Sequence, residues 1–438
     1  MSASTSSSPP TERRGGRLPM LAATPGDHPA IYHFLTGVFQ EPSRQEFKAS
    51  LEDPFSEPHD RLLLKHGLRI AGHVHLTHRV MQFGHSQLPV AGLGWLGILP
   101  ELRGWGYGHD LLVAAEKRMA AEGALVGLLR TRIPHFFRRT GWALCGRHSY
   151  SQAGARVVLS ALLARGMYRH RRRRRQLSIR PWRRVELAAL VRIYRQNLAG
   201  TFGPLQRTEA YWQWLIRRKA YDQLYVALDG PDLLELDEAN TPIVGYAATR
   251  GERIVELLTA PDCRGAAVQL LARACDDAIE RDCHRITLHA PPEHRLHRLI
   301  VSAGGHQHDH EADHGEVLMT RVWDPVGLLR ALGPELHRRA ELAGLPRPIE
   351  LGLLVDDDRY RLIVTKRNVK VAAYRNSRSH LQMNVADFTR LVLGHLDWHN
   401  AIDTGRLHAS TALALKAART LFPPLPLWRP PFDDLRAQ

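Results

Sequence analysis

Short apolar runs closed by glycine or proline alternate along the chain with stretches whose apolar residues recur every three or four positions, a pattern that predicts an α+β protein built from strands and packed helices. A largely polar helical stretch over 30–51 comes first, followed by alternating strand-like segments at Leu68-Arg69-Ile70 and His73-Val74-His75-Leu76. An apolar strand ending at Leu96-Gly97-Ile98 then turns through Leu99-Pro100-Glu101-Leu102-Arg103-Gly104-Trp105-Gly106-Tyr107-Gly108 into an amphipathic helix. That helix carries Leu111, Leu112, Ala115 and Met119 on one face and Glu116, Lys117 and Arg118 away from it. A strand over 125–130, a short helix after Pro134 and a Gly141-Trp142 strand start complete a first unit.

The same grammar returns. Strand-like runs at 224–228, 243–247 and 254–258 lead to the loop Pro261-Asp262-Cys263-Arg264-Gly265, a helix over 266–280, a strand over 285–289 and a Gly304-Gly305 turn. An internal duplication of about 140 residues accounts for this, within the usual size of a domain. A third unit begins near Trp323. It offers a hairpin over 349–364 with its turn at Asp356-Asp357-Asp358, helices over 385–395 and 410–421, the latter with a Leu413, Ala417, Leu421 stripe, and a proline-rich tail that must run extended. The expected layout is a disordered leader (1–20), a first unit (21–165), a basic linker (166–176), a second unit (177–323) and a third (324–438).

At 438 residues the chain exceeds one hydrophobic core. The formal net charge of +16 favours anionic ligands. Four cysteines without Cys-x-x-Cys spacing argue against a disulfide scaffold or a structural zinc and suit a reducing cytoplasm. No apolar run reaches membrane-spanning length. The arginine run over 169–175 reads as a solvated linker; with no aromatic residue interleaved, nucleic acid is not the expected partner. The histidine-rich tract over 306–314 reads as the solvated terminal hairpin of the second unit, and no metal is expected.

Glycines at 104, 106 and 108 before a helix predict a phosphate cradle, because the first N–H groups of a helix have no intrahelical partner and lie at the positive end of its dipole. No Gly-Lys-Ser/Thr follows, which excludes a triphosphatase loop, and the glycines alternate instead of following Gly-x-Gly-x-x-Gly. The order Arg103-x-x-Gly106-x-Gly108, with Pro100 before it and Gly141-Trp142 downstream, resembles the coenzyme A loop of the GNAT acyltransferases. Two tandem GNAT-like units, the second degenerate, followed by an α+β unit, resemble the enhanced-intracellular-survival type of acetyltransferase.

That resemblance implies a sterol-carrier-protein-like third domain, a homo-oligomer such as a hexamer, and acetyl transfer from acetyl-CoA to aminoglycoside, polyamine or lysine amines in a ternary complex. It places coenzyme-binding main chain at Leu96, Gly97 and Ile98, and the cradle at Arg103, Gly104, Trp105, Gly106, Tyr107, Gly108 and His109. Ala267 and Gln269 in place of the second copy's glycines imply a unit without cofactor. The family's tyrosine acid falls on Phe137, which has no proton to give; water, Tyr150 or His148 would replace it, or the chain is an acyl-CoA-binding regulatory protein with little activity. The family's terminal-carboxylate base corresponds to Asp434 or Asp433 on the tail, the alternative being solvated tail acids. Glu52, Asp53, Glu57 and Asp60 are candidates for an acidic wall that would receive a cationic amine.

Overall fold

The computed structural model describes residues 18–168, 177–230, 242–263, 265–313, 315–373 and 379–434. The leader up to residue 17, the arginine run, Arg264, His314 and the last four residues lie outside them.

A nine-stranded sheet runs in the order Met20–Ala22, Arg61–His66, Arg69–Phe83, Ser86–Ile98, Val126–Thr131, Glu316–Val322 and Ala312–Asp313, with Phe202–Leu205 and Ala143–Leu144 added at its sides. A seven-stranded sheet runs His306–His310, His148–Gly154, Arg285–His289, Arg253–Thr259, Ile243–Arg250, Gln223–Leu228 and Ser178–Pro181. Each repeat therefore gives its last long strand to the other. His148–Gly154 pairs with Arg285–His289 of the second repeat, and Glu316–Val322 pairs with Val126–Thr131 of the first. The histidine tract is thus no free loop: His306–His310 is an edge strand on His148–Gly154, with His308 stacked on Tyr150 at 4.8 Å.

Local chemistry explains where elements depart from the simple pattern. The stretch over 30–51 divides into helices His28–Phe39 and Arg44–Leu51, because Gln40 takes a left-handed φ of 59° and Ser43 then opens the second helix in a reciprocal cap with Glu46. In the helix Tyr107–Ala121, Leu111, Leu112, Ala115 and Met119 are buried as expected. Glu116 is buried too, accepting from Trp142 Nε1 at 2.7 Å and Arg321 Nη1 at 2.6 Å.

A five-stranded sheet, Val369–Ala373, Asp358–Val364, Ile349–Val355, His380–Met383 and Leu407–Ala409, forms the third unit. Its hairpin closes at Val355↔Asp358, with Asp356 at a φ of 50° in the turn. Helix Ala412–Leu421 buries Ala414, Ala417, Ala418 and Leu421, while Leu413 faces outward, one residue off the expected stripe. The core of this unit is continuous with Met81, Phe83, Leu88 and Val126 of the first sheet. From it the tail crosses back: Leu425 N–H donates to Gly394 O at 3.1 Å, Trp428 N–H donates to Phe202 O at 2.9 Å, and Phe432 is buried among Tyr211, Trp212 and Tyr246 of the second repeat.

Candidate active site

Strand Ser86–Ile98 lies parallel to Val126–Thr131 but pairs with it only at Val90, Ala91 and Gly92. Beyond Gly92 the two strands part. The register with the other neighbour shifts between His73 and His75, where Trp95 adopts a φ of 54°, the kind of bulge that bends a strand and re-aims its groups. The main chain of Leu96, Gly97 and Ile98 thus borders a gap on its parallel side. A Cβ on Gly97 would come within 2.7 Å of the Phe39 ring, so close packing of the first helix requires glycine there.

At the end of that strand, Gly104 and Gly106 take left-handed φ values of 83° and 88°, and Gly106 caps helix Tyr107–Ala121. A Cβ at either would meet nothing within 4 Å, so backbone conformation selects glycine and the space before the helix stays open. Gly108 sits in ordinary contact range of Ile98 and Phe136. Arg103 is exposed and its Nε donates to Ile98 O at 3.2 Å, joining the cradle to the strand end. Trp105 and His109 are exposed, whereas the Tyr107 side chain belongs to the core. An open, cationic, glycine-capped helix start beside an unpaired strand edge fits a coenzyme A diphosphate and its pantetheine amides.

Phe137 is buried at 5% exposure in the core, edge-on to Trp142 at 6.2 Å. The ring facing Gly108 is Phe136. Tyr150 and His148 lie on the exchanged strand, Tyr150 against His289 and His308. Cys145 is buried and its thiol is pushed up to about 12 by burial, which makes it inert as a nucleophile.

Where the strands part, a cavity of about 360 Å³ opens between the first sheet, helix Arg44–Leu51, helix Glu209–Arg217 and the tail. Gly92, Gly94, Trp95 and Leu129 line one side of it, and Asp433 and Asp434 another. The tail therefore brings both candidate bases to the parted strands, but in different states. Asp433 is buried, bonded to Arg207 Nε at 2.9 Å, and Arg207 also grips Glu256 through both terminal nitrogens at 2.9 and 2.6 Å. Asp434 is partly open, with 25% of its side chain exposed against 1% for Asp433. It accepts from Arg130 Nη2 at 2.7 Å and Arg429 Nη2 at 2.6 Å. Burial would raise its carboxyl, but Arg130 and Arg429 hold it below the ordinary value, so it is ionised at neutral pH.

The expected acidic wall does not assemble. Glu52 pairs with Lys48 at 3.8 Å, Asp53 binds Arg79, and buried Asp60 accepts from Glu57 N–H at 2.7 Å. Of these four, Asp53 alone lines the cavity. Arg61, Arg79, Arg218, Arg429, His75, Tyr211 and Trp214 also line it, and no pattern along the chain marks them as site residues, since they come from both repeats and the tail. Among the described residues the one grouping with metal-ligand spacing is Asp60, His78 and Glu122, away from the histidine tract. Ala267 and Gln269 are engaged in the second repeat: Ala267 is buried in its core, and Gln269 Oε1 accepts from Leu177 N–H at 3.1 Å.

Residues 21–145 match the family profile described as Acetyltransferase (GNAT) domain. No curated protein sequence matches the chain. Its fold is similar to that of a GCN5-related N-acetyltransferase from Anabaena variabilis (TM-score 0.72, 18% identity, covering 94% of this chain and 99% of that one). A GCN5-related N-acetyltransferase from Kribbella flavida is similar too (TM-score 0.71, 16% identity, 94% and 97% covered), as is Eis1 from Mycobacterium abscessus (0.64, 16%, 92% and 97%). At these identities the likeness speaks for the fold, and it extends over nearly the whole chain. With the cradle, the parted strands and the family match falling on the same segment, residues 21–145 are a GNAT acetyltransferase domain, and the chain is an acyltransferase with the fold of the Eis-type GNAT proteins.

Proposed function

We propose that the chain moves an acetyl group from acetyl-CoA to a primary amine by direct transfer in a ternary complex, with the donor held by the first repeat alone. The observation that carries this reading is the conjunction of an open glycine cradle, a strand edge released beyond Gly92, and a cavity at the parted strands whose lining includes Asp434 of the tail.

Acetyl-CoA supplies an activated thioester. The chain's own groups do the rest. N–H groups from Gly104 to His109, with Arg103, hold the diphosphate, and main-chain groups from Gly94 to Ile98 align the pantetheine arm and polarise the carbonyl as negative charge develops. Asp434, ionised and open to the cavity, takes the proton of the arriving ammonium through water, freeing the nitrogen lone pair. The C–N bond forms as the C–S bond breaks, and the proton that the nitrogen still has to lose passes through water to the departing thiolate, with no protein hydroxyl required. Coenzyme A is a tolerable leaving thiolate.

Thiol release from acetyl-CoA, measured against aryl amines, amino acids, polyamines, aminoglycosides and lysine peptides, tests the proposal. Amine-dependent release saturating in both substrates is expected. Tight acetyl-CoA binding with no release by any amine would instead mark an acyl-CoA-binding regulatory protein.

A further inference from the structure

Most of the acid wall that a polycationic acceptor would need is already engaged. Of the four carboxylates lining the cavity, Asp53 binds Arg79, Asp433 binds Arg207 and Asp434 sits between Arg130 and Arg429; Glu46, capped by Ser43 N–H at 2.7 Å, is the one without an ion pair among the described residues. The arginines are not all so matched. Five line the cavity, and two of them, Arg61 and Arg218, form no ion pair among the described residues.

Both hold their guanidinium groups against neutral hydrogen-bond partners, with carboxylates nearby but beyond ion-pair distance: Asp60 for Arg61, and Asp433, Asp434 and Asp53 for Arg218. Arg61 is 1% exposed; its Nη2 donates to Ser50 Oγ at 3.0 Å and its Nη1 faces His73 Nε2 at 3.4 Å, with Asp60 the nearby charge that offsets burial. Burial pulls it down to about 10, which leaves it a cation at neutral pH. Arg218 lies over the Trp214 ring at 4.4 Å and donates through Nη2 to the carbonyls of Phe432 and Asp433 at 2.7 and 3.2 Å, while its buried Nε has no partner. The two line one cavity and are anchored on neighbouring residues: Ser50 holds Arg61, and Trp214 beneath Arg218 bonds the carbonyl of adjacent Ala49 at 2.8 Å. A planar guanidinium fixed on an aromatic face is pre-organised for a carboxylate fork. Phe47, Trp95, Tyr211 and Trp214 give the same cavity apolar walls, and about 360 Å³ is at the small end of ligand pockets.

Building on the acetyl-transfer reading, we propose that the acceptor is a small amine that also carries a carboxylate, seated between Arg61 and Arg218 on an apolar or aromatic body, and that polycationic amines are poor acceptors. The carboxylate supplies the charge those two arginines lack and leaves the amine toward Asp434.

The test uses the full chain with phenylalanine, phenylalaninamide and spermidine as probes. In thiol release with acetyl-CoA, phenylalanine is expected to exceed both others in kcat/KM by at least tenfold, with the advantage over the amide residing in KM. Arg218→Gln erases that preference and Arg218→Lys restores part of it, while acetyl-CoA affinity, read by calorimetry, is unchanged. Arg61 is buried, so Arg218 carries the variant arm. Spermidine or the amide matching phenylalanine, or a preference that survives Arg218→Gln, overturns the proposal. Calorimetric binding of phenylalanine and its amide to the coenzyme A-loaded protein decides it without turnover: no binding, or equal affinities, overturns it. Preferential carboxylate binding with no thiol release from any amine overturns the acetyl-transfer reading alone.

Discussion

In the proposed mechanism Asp434 takes the proton of the amine, and its setting separates it from Asp433 one residue earlier. Two arginines keep it ionised at neutral pH, yet a quarter of its side chain is open to the cavity. Asp434→Asn keeps the shape and removes the proton acceptor; it should lower kcat by at least about tenfold while leaving acetyl-CoA affinity within twofold, read by steady-state kinetics beside calorimetry. An unchanged kcat would remove Asp434 from the mechanism. The glycines were legible in the sequence because left-handed φ at 104 and 106 leaves little choice of residue. Phe137 was legible by spacing alone, and spacing does not say which way a ring turns. Its ring fills the core beside Trp142, and Phe136 faces the cradle. Arg61 and Arg218 had no local signature at all, since a cavity wall assembled from separate repeats leaves no pattern along the chain.

The elements were largely readable, their partners were not. The run over 285–289, the hairpin at Asp356 and the short helix Pro134–Arg138 follow from apolar patterning and turn chemistry. The exchange of Glu316–Val322 and His148–Gly154 between sheets does not, because either strand would fit either edge by pattern. This exchange makes the repeats interdependent. A fragment ending at residue 168 would leave Val126–Thr131 without its antiparallel neighbour and helix Ala155–Ala164 without the core it packs on. Such a fragment should show no cooperative thermal transition by circular dichroism and should not bind acetyl-CoA. A fragment that melts cooperatively and binds would contradict the interdependence.

Across the whole molecule the tail joins all three units, from Gly394 in the third through Phe202 to the buried Phe432 in the second repeat and Asp434 at the first sheet. The same packing buries histidines as neutral groups: burial, with nearby positive charge, pulls His73 and His289 down to about 3 and His75 well below its ordinary value. Below about pH 6.5 the unfolded chain protonates these imidazoles and the folded chain does not, so stability is full above that pH and falls as pH drops, by about 1.4 kcal/mol per pH unit for each histidine. Thermal unfolding should therefore occur at a clearly lower temperature at pH 5 than at pH 7.5, and equal midpoints would show that these imidazoles are not held neutral.

In the proposed function one repeat binds acetyl-CoA and the other does not. Calorimetric titration of the full chain with acetyl-CoA should show one site per chain, weakened at least tenfold by Gly106→Val, which forces a branched residue into a left-handed φ of 88° at the cradle, and unchanged in affinity by Ala267→Val in the second repeat. Two sites per chain, or equal losses from the two substitutions, would contradict it.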